Sequence, residues 1–174
     1  MLKFANWPVS RKMIVAAIVT ATGIVVLAAI GLQMVREQMI QDRRITIKEH
    51  VDSMMSTMHA LKERANKGEI TEEEAIERSK DVLRSAWFAE DGYFFAFDEK
   101  GFTVVHAANQ SLEGKDLSGL KDVNGVLVVQ GLIKAARDGS GYVQYHWPRA
   151  KGGEEAPKLA YAALQKDWGW AVGT

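Results

Sequence analysis

The chain has 174 residues, with 22 basic and 22 acidic side chains and no cysteine. The balanced charge leaves no basic footprint for nucleic acid. The missing thiols exclude disulfides, zinc–thiolate sites and a cysteine nucleophile.

Residues 1–12 carry Lys3, Arg11 and Lys12 and no acid. Met13 to Leu32 then runs without a charge, and only Thr20 and Thr22 interrupt its apolar character. Twenty helical residues rise roughly 30 Å, the hydrocarbon thickness of a bilayer. The run is longer than the ~7–15-residue core of a signal peptide, and Gln33-Met34-Val35-Arg36 offers no small-x-small cleavage site. A retained transmembrane helix over 13–35 is therefore expected, with 1–12 on the cytoplasmic side. Arg11-Lys12 abuts the span directly and favours that orientation, although Arg36, Arg43 and Arg44 follow on the other side.

No proline or glycine occurs between Leu32 and Gly68. The membrane helix is expected to continue as one long helix to about Ala65. Ile47, Val51, Met54, Met58, Leu61 and Ala65 alternate in steps of 4 and 3, a heptad-like stripe on one face. Two roles suit that stripe: packing on the domain's own core, or forming the seam of a homodimer. Asn66-Lys67-Gly68 is a helix stop. Thr71-Glu72-Glu73-Glu74 is a capping box that opens a second helix to about Ala86, with Ala75, Ile76, Ser79, Val82, Leu83 and Ala86 on one face.

The pattern then changes to strands. Tyr93-Phe94-Phe95-Ala96-Phe97 is aromatic and strand-forming. Asp98-Glu99-Lys100-Gly101 reads as a hairpin loop, and 102–106 as the return strand, with Val104 and His106 on one face. A polar loop from Ala107 to Asn124 precedes a helix over 125–137. Gly139-Ser140-Gly141 ends it. Strands follow over 142–147, 158–165 and 168–174, with a glycine-rich loop from Pro148 to Pro157. Val143, Tyr145 and Trp147 share one face of the third strand. These elements predict an α+β fold: a long helix packed on a five-stranded antiparallel sheet, with one helix inserted mid-sheet.

Several stretches together resemble a known family. They are Asp91-Gly92-Tyr93-Phe94-Phe95, then Asp98, Gly101 and His106, then Leu112-Glu113-Gly114-Lys115-Asp116-Leu117 and Lys121-Asp122-Val123-Asn124-Gly125. Gly139-Ser140-Gly141-Tyr142-Val143-Gln144-Tyr145-His146-Trp147-Pro148, Lys158-Leu159-Ala160-Tyr161 and Trp168-Gly169-Trp170-Ala171-Val172-Gly173-Thr174 continue the series. The ordered set, over roughly residues 36–174, resembles a single Cache domain, the extracytoplasmic sensor of methyl-accepting chemotaxis proteins. The resemblance implies a PAS-like sheet behind the long N-terminal helix. It also implies a ligand such as acetate, propionate, pyruvate or lactate, and a periplasmic sensor domain held in the bacterial inner membrane. In that family the chain usually continues into a second transmembrane helix and a cytoplasmic signalling region, so a longer receptor is expected.

A small-acid pocket needs donors for the carboxylate and an apolar wall for the short chain. On this resemblance the candidate ligand-binding residues are Tyr93, Phe95, His106, Tyr145 and Lys158. Family members often carry an Arg-aromatic pair shortly before the Gly-Tyr-Phe strand. Here Trp87-Phe88 stands there; Trp87 is the sixth candidate, and Arg84, one helical turn earlier, is the seventh and the substitute for the missing arginine.

No enzymatic activity is expected. The chain has no Gly-rich phosphate loop and no Gly-x-Ser-x-Gly elbow, and His50 and His59 lack the i, i+4 spacing of a metal pair. The expected function is sensing of a small organic acid and transmembrane signalling in chemotaxis. The alternatives are the sensor of a histidine kinase or cyclase, a ligand-free structural or interaction module, and a metal sensor using His106 and His146.

Overall fold

The computed structural model describes residues 7–89, 92–139, 141–148 and 154–174. The expectations that involve Lys3, Asp91, Ser140 and residues 149–153 lie outside these. The first helix, α1, spans Val9–Asn66. Contacts divide the chain into two units, Met1–Arg43 and Arg44–Thr174, so the division falls inside α1.

In the first unit the apolar residues stay outside. Met13, Ile18, Val25 and Leu32 are each more than half exposed. A helix apolar on all sides suits lipid better than water, and this one is long and apolar enough to cross a membrane.

The second unit contains the rest of α1, then α2 (Glu72–Ser85), two short strands β1 (Trp87–Phe88) and β2 (Gly92–Tyr93), and β3 (Phe95–Phe97) and β4 (Thr103–His106). A 3₁₀ turn (Gln110–Leu112) leads to α3 (Val128–Arg137), followed by β5 (Gly141–Pro148), β6 (Glu155–Gln165) and β7 (Trp170–Gly173). β3 to β7 form one antiparallel sheet in the order β4-β3-β7-β6-β5, while β1 and β2 pair separately. The capping box is present, with the Thr71 hydroxyl accepting the Glu74 N–H at 3.1 Å.

Each face of the sheet has its own cover. On one side α1 and α2 bury Ile47, Val51, Met58 and Leu83 against Phe94, Ala96, Val105, Tyr161, Trp170 and Val172. On the other, α3 buries Val128, Val129, Leu132 and Ala136 against Phe95, Phe97, Tyr145, Ala160, Ala162 and Ala171. A fully buried Val, Leu or Phe contributes about 1.5–3 kcal/mol, so both layers are needed for stability. Ile47, Val51, Met54 and Met58 of the heptad-like stripe of α1 thus pack on the domain's own core. Ser53, Ser56, His59, Ala60 and Glu63 remain exposed. Lys62 and Trp168 both donate to Glu72, at 2.7 and 2.6 Å, joining α1, the start of α2 and the turn before β7.

Several boundaries differ from the sequence expectation. The aromatic run 93–97 changes partner at Phe94: Tyr93 pairs with Trp87, and only Phe95–Phe97 enters the main sheet. β7 starts at Trp170 because Trp168 belongs to a turn, where its N–H donates to Gln165 Oε1 at 2.8 Å and Gly169 takes φ +68°. The mid-sheet helix starts at Val128 because Asp122 Oδ1 first accepts the N–H groups of Asn124 and Val126 at 2.9 and 2.8 Å in a side-chain-closed turn. β6 begins three residues early, since Glu155 still pairs with Pro148.

Val104 and His106 do not share a face. The register pairs Phe95 with His106, Ala96 with Val105, and Phe97 with Thr103, so Val104 is the extra residue of a β-bulge. The bulge sends Val104 to the α1 side with Val105 and leaves His106 on the α3 side.

Candidate functional site

The α3 side of the sheet does not close completely. A cavity of about 290 Å³, mouth included, lies between the strands and α3. Among the described residues its lining is Tyr93, Phe95, Phe97 and His106 from one half of the sheet, Tyr145 and Trp147 from β5, Leu117 from the intervening loop, and Val128, Val129 and Leu132 from α3.

Register explains how distant residues meet. Phe95 stands opposite His106 across β3 and β4, and Tyr145 stands opposite Lys158 across β5 and β6. Paired residues project to the same face. The ring centroids of Tyr93 and His106 are 5.0 Å apart, and those of His106 and Trp147 are 6.4 Å apart. The Lys158 ammonium sits 4.0 Å from the Tyr93 ring centroid and 5.9 Å from that of Phe95. At such distances the ring quadrupole favours the cation.

The titratable groups are held in definite states. Burial, then the positive charge of Lys158, pushes His106 down to about 4. The imidazole is neutral at pH 7. Its Nδ1 accepts the Asn109 N–H at 3.1 Å, so the ring proton resides on Nε2. Burial, with Tyr93 nearby, pushes the Tyr145 phenol up, which keeps it protonated and able to donate. The polar end of the cavity thus offers an imidazole N–H, phenol groups and an ammonium. The opposite wall, Leu117, Val128, Val129 and Leu132, is aliphatic.

Five of the seven sequence candidates converge here: Tyr93, Phe95, His106 and Tyr145 line the cavity, and Lys158 lies against two of them. Arg84 and Trp87 do not line it. Arg84 forks onto Glu113, with Nη2 to Oε2 at 2.8 Å and Nε to Oε1 at 3.2 Å, and its Nη1 reaches Asp81 at 3.0 Å. Trp87 is 53% exposed, and its indole N–H donates to the Arg84 carbonyl at 3.3 Å. All three of these Arg84 bonds go to carboxylates of the protein itself, away from the cavity lining.

His146 stands apart from His106 in its bonding. Its Nδ1 meets Asn124 Nδ2 at 2.9 Å, and its backbone N–H donates to Asp122 Oδ2 at 2.9 Å. Among the described residues no group of three or more His, Asp or Glu is placed to hold a metal ion.

The aliphatic wall was the part that sequence reading did not assign to the site. Helical periodicity marks Val128 and Leu132 as a buried face, and alternation places Trp147 with Tyr145. Neither signal says which sheet face they meet.

The chain matches the single Cache domain 2 family over residues 39–174 and belongs to it. Methyl-accepting chemotaxis protein McpP of Pseudomonas putida is 26% identical over 167 residues, 95% of this chain and 31% of that protein. A periplasmic sensor domain of a chemotaxis protein superimposes with a TM-score of 0.74 at 32% identity, covering 78% of this chain and 94% of the other. A Cache chemosensory domain described for its carboxylic acid recognition also reaches 0.74, at 25% identity, covering 79% of this chain and 94% of the other. The chain spans between about a quarter and a third of the length of the curated relatives it matches, which comprise chemotaxis proteins and a sensor histidine kinase. It therefore carries a Cache sensor domain of the kind found in chemotaxis receptors.

Proposed function

We propose that this domain senses a small monocarboxylate, of the class of acetate, propionate, pyruvate or lactate, outside the cytoplasm. The single observation that carries the reading is the cavity under α3. Its polar end gathers His106, Tyr93, Tyr145 and the nearby Lys158 ammonium, and its other end is aliphatic. A short acid has the same division, a charged head and a small apolar tail. The carboxylic acid recognition described for one structural neighbour supports the reading.

In this proposal residues 1–12 are cytoplasmic, 13–35 cross the inner membrane, and 36–174 form the periplasmic domain. Ligand shifts the signal by its differential affinity for two arrangements of α1 relative to the membrane helix that follows in the family. The receptor works as a homodimer associated through its N-terminal helix. The output is a chemotaxis signalling region, and the kinase among the relatives makes a histidine kinase output the second reading.

Thermal unfolding of the full chain in detergent micelles, with C2–C4 acids added singly, tests the ligand class. At about 100 times Kd a binding acid adds about 2.7 kcal/mol of stability, while the matching amide adds none. Stabilisation by amines or amino acids with no response to any acid overturns the proposal.

A further inference from the structure

We infer that Glu113 and Arg84 are positioning residues that set the His106 imidazole as a donor toward the cavity. The inference rests on the proposed ligand site, but its geometry is independent of the ligand.

β4 is the outermost strand on its side of the sheet, next to β3 only. An edge strand leaves backbone N–H groups without a ladder partner. At His106 that group is satisfied by a side chain: the backbone N–H donates to Glu113 Oε1 at 3.2 Å. The same carboxylate receives the Arg84 fork, at 3.2 Å on Oε1 and 2.8 Å on Oε2. The pair is mostly shielded, with side-chain exposures of 26% for Arg84 and 18% for Glu113. Bidentate geometry fixes orientation as well as charge.

The loop between the two residues is closed on itself. The Asn109 N–H donates to both the carbonyl and the Nδ1 of His106, at 3.0 and 3.1 Å. Leu112 N–H returns to the Asn109 carbonyl at 3.0 Å, and Glu113 N–H to that of Gln110 at 3.0 Å. Glu113 therefore ties the far end of this loop to the residue that begins it. The tie holds the Asn109 N–H against Nδ1. With Nδ1 committed as an acceptor, the proton sits on Nε2, the other edge of a ring that lines the cavity. A freed loop lets the ring exchange tautomers and offer a lone pair to a carboxylate, which repels it.

The test is long-range ¹⁵N–¹H correlation on the full chain in micelles, labelled at histidine, at pH 7 and without ligand. Wild type is expected to show His106 with the proton on Nε2. Glu113→Ala is expected to show mixed tautomers and, in acetate titration, about tenfold weaker binding. Glu113→Gln, which keeps an acceptor for the His106 N–H, is expected to restore the wild-type tautomer. Arg84→Gln gives a milder shift at a more exposed position, should the alanine variant not fold.

A wild-type proton on Nδ1, or an unchanged tautomer in both Glu113→Ala and Arg84→Gln, overturns the inference. If the tautomers respond as expected while wild type binds no acid, the positioning stands and the proposed ligand class fails.

Discussion

The Lys158 ammonium rests 4.0 Å from the centroid of the Tyr93 ring, on a strand 65 residues further along the chain. This contact puts a positive charge beside the polar end of the cavity and holds it against an aromatic face. It also depresses the basicity of His106, whose buried ring feels the same charge. Lys158 is the cation through which an acid is expected to be recognised.

Replacing Lys158 by Met keeps the stem and removes the charge. Affinity for acetate is expected to fall about 10- to 100-fold, the size of one charge-assisted hydrogen bond. Affinity for a neutral amide of the same shape should be unchanged. Isothermal titration of both ligands checks the pair of outcomes.

His106 makes stability depend on pH. Its folded pKa, about 4, lies below the ordinary value of 6.5. Between these values the unfolded chain binds more protons, so stability rises with pH. The contribution is complete above about pH 6.5 and is lost as pH falls toward 4. Its size is roughly 3 kcal/mol by linkage. Denaturant unfolding of wild type and His106→Gln over that range should show the steeper pH slope only in wild type.

Gly173 lies in the central strand β7, opposite both Phe95 and Ala162. A Cβ placed there meets the Phe95 ring at 2.6 Å and the Tyr161 carbonyl oxygen at 2.6 Å. Gly173→Ala must push the ring toward the cavity or spread the strands. A loss of about 1–3 kcal/mol is expected, with weakened acid binding. Chemical denaturation with ligand titration of the same sample measures both.

Asp122 anchors the loop that precedes α3. Its carboxylate accepts N–H groups from Asn124, Val126 and His146, at 2.9, 2.8 and 2.9 Å, and its side chain is fully shielded. Asp122→Ala leaves these donors without their partner and is expected to cost about 1–3 kcal/mol. Hydrogen exchange should accelerate at Asn124, Val126 and His146, and stay unchanged at Lys100 and Gly101 in the opposite hairpin.

Local chemistry makes much of the fold readable from the chain. The uncharged run over Met13–Leu32, the Thr71 cap, the Asp98 hairpin and the strand alternation each depend on near neighbours in sequence. The hairpin shows this directly: Asp98 Oδ1 accepts the N–H groups of Lys100, Gly101 and Phe102, each at 2.9 Å, and Gly101 takes φ +100°. Candidate donors are legible by residue type, since His106, Tyr145 and Lys158 each carry a group able to donate a hydrogen bond. The partner of Arg84 is not legible in the same way, because Glu113 comes from a loop 29 residues away whose course no local pattern specifies.

The amino-acid sequence by itself determined the apolar helix, the helix-to-sheet order and the donor groups available to the sheet. These follow from hydropathy, periodicity and turn chemistry within a few residues. Only the tertiary structure decided which of those residues meet. The bulge at Val104 turned His106, and not Val104, toward α3, and strand register set Lys158 opposite Tyr145. Packing likewise places Ile47, Val51, Met54 and Met58 of the α1 stripe in the core. A side chain's partners across a sheet depend on register and layer, and these are resolved by the whole core at once.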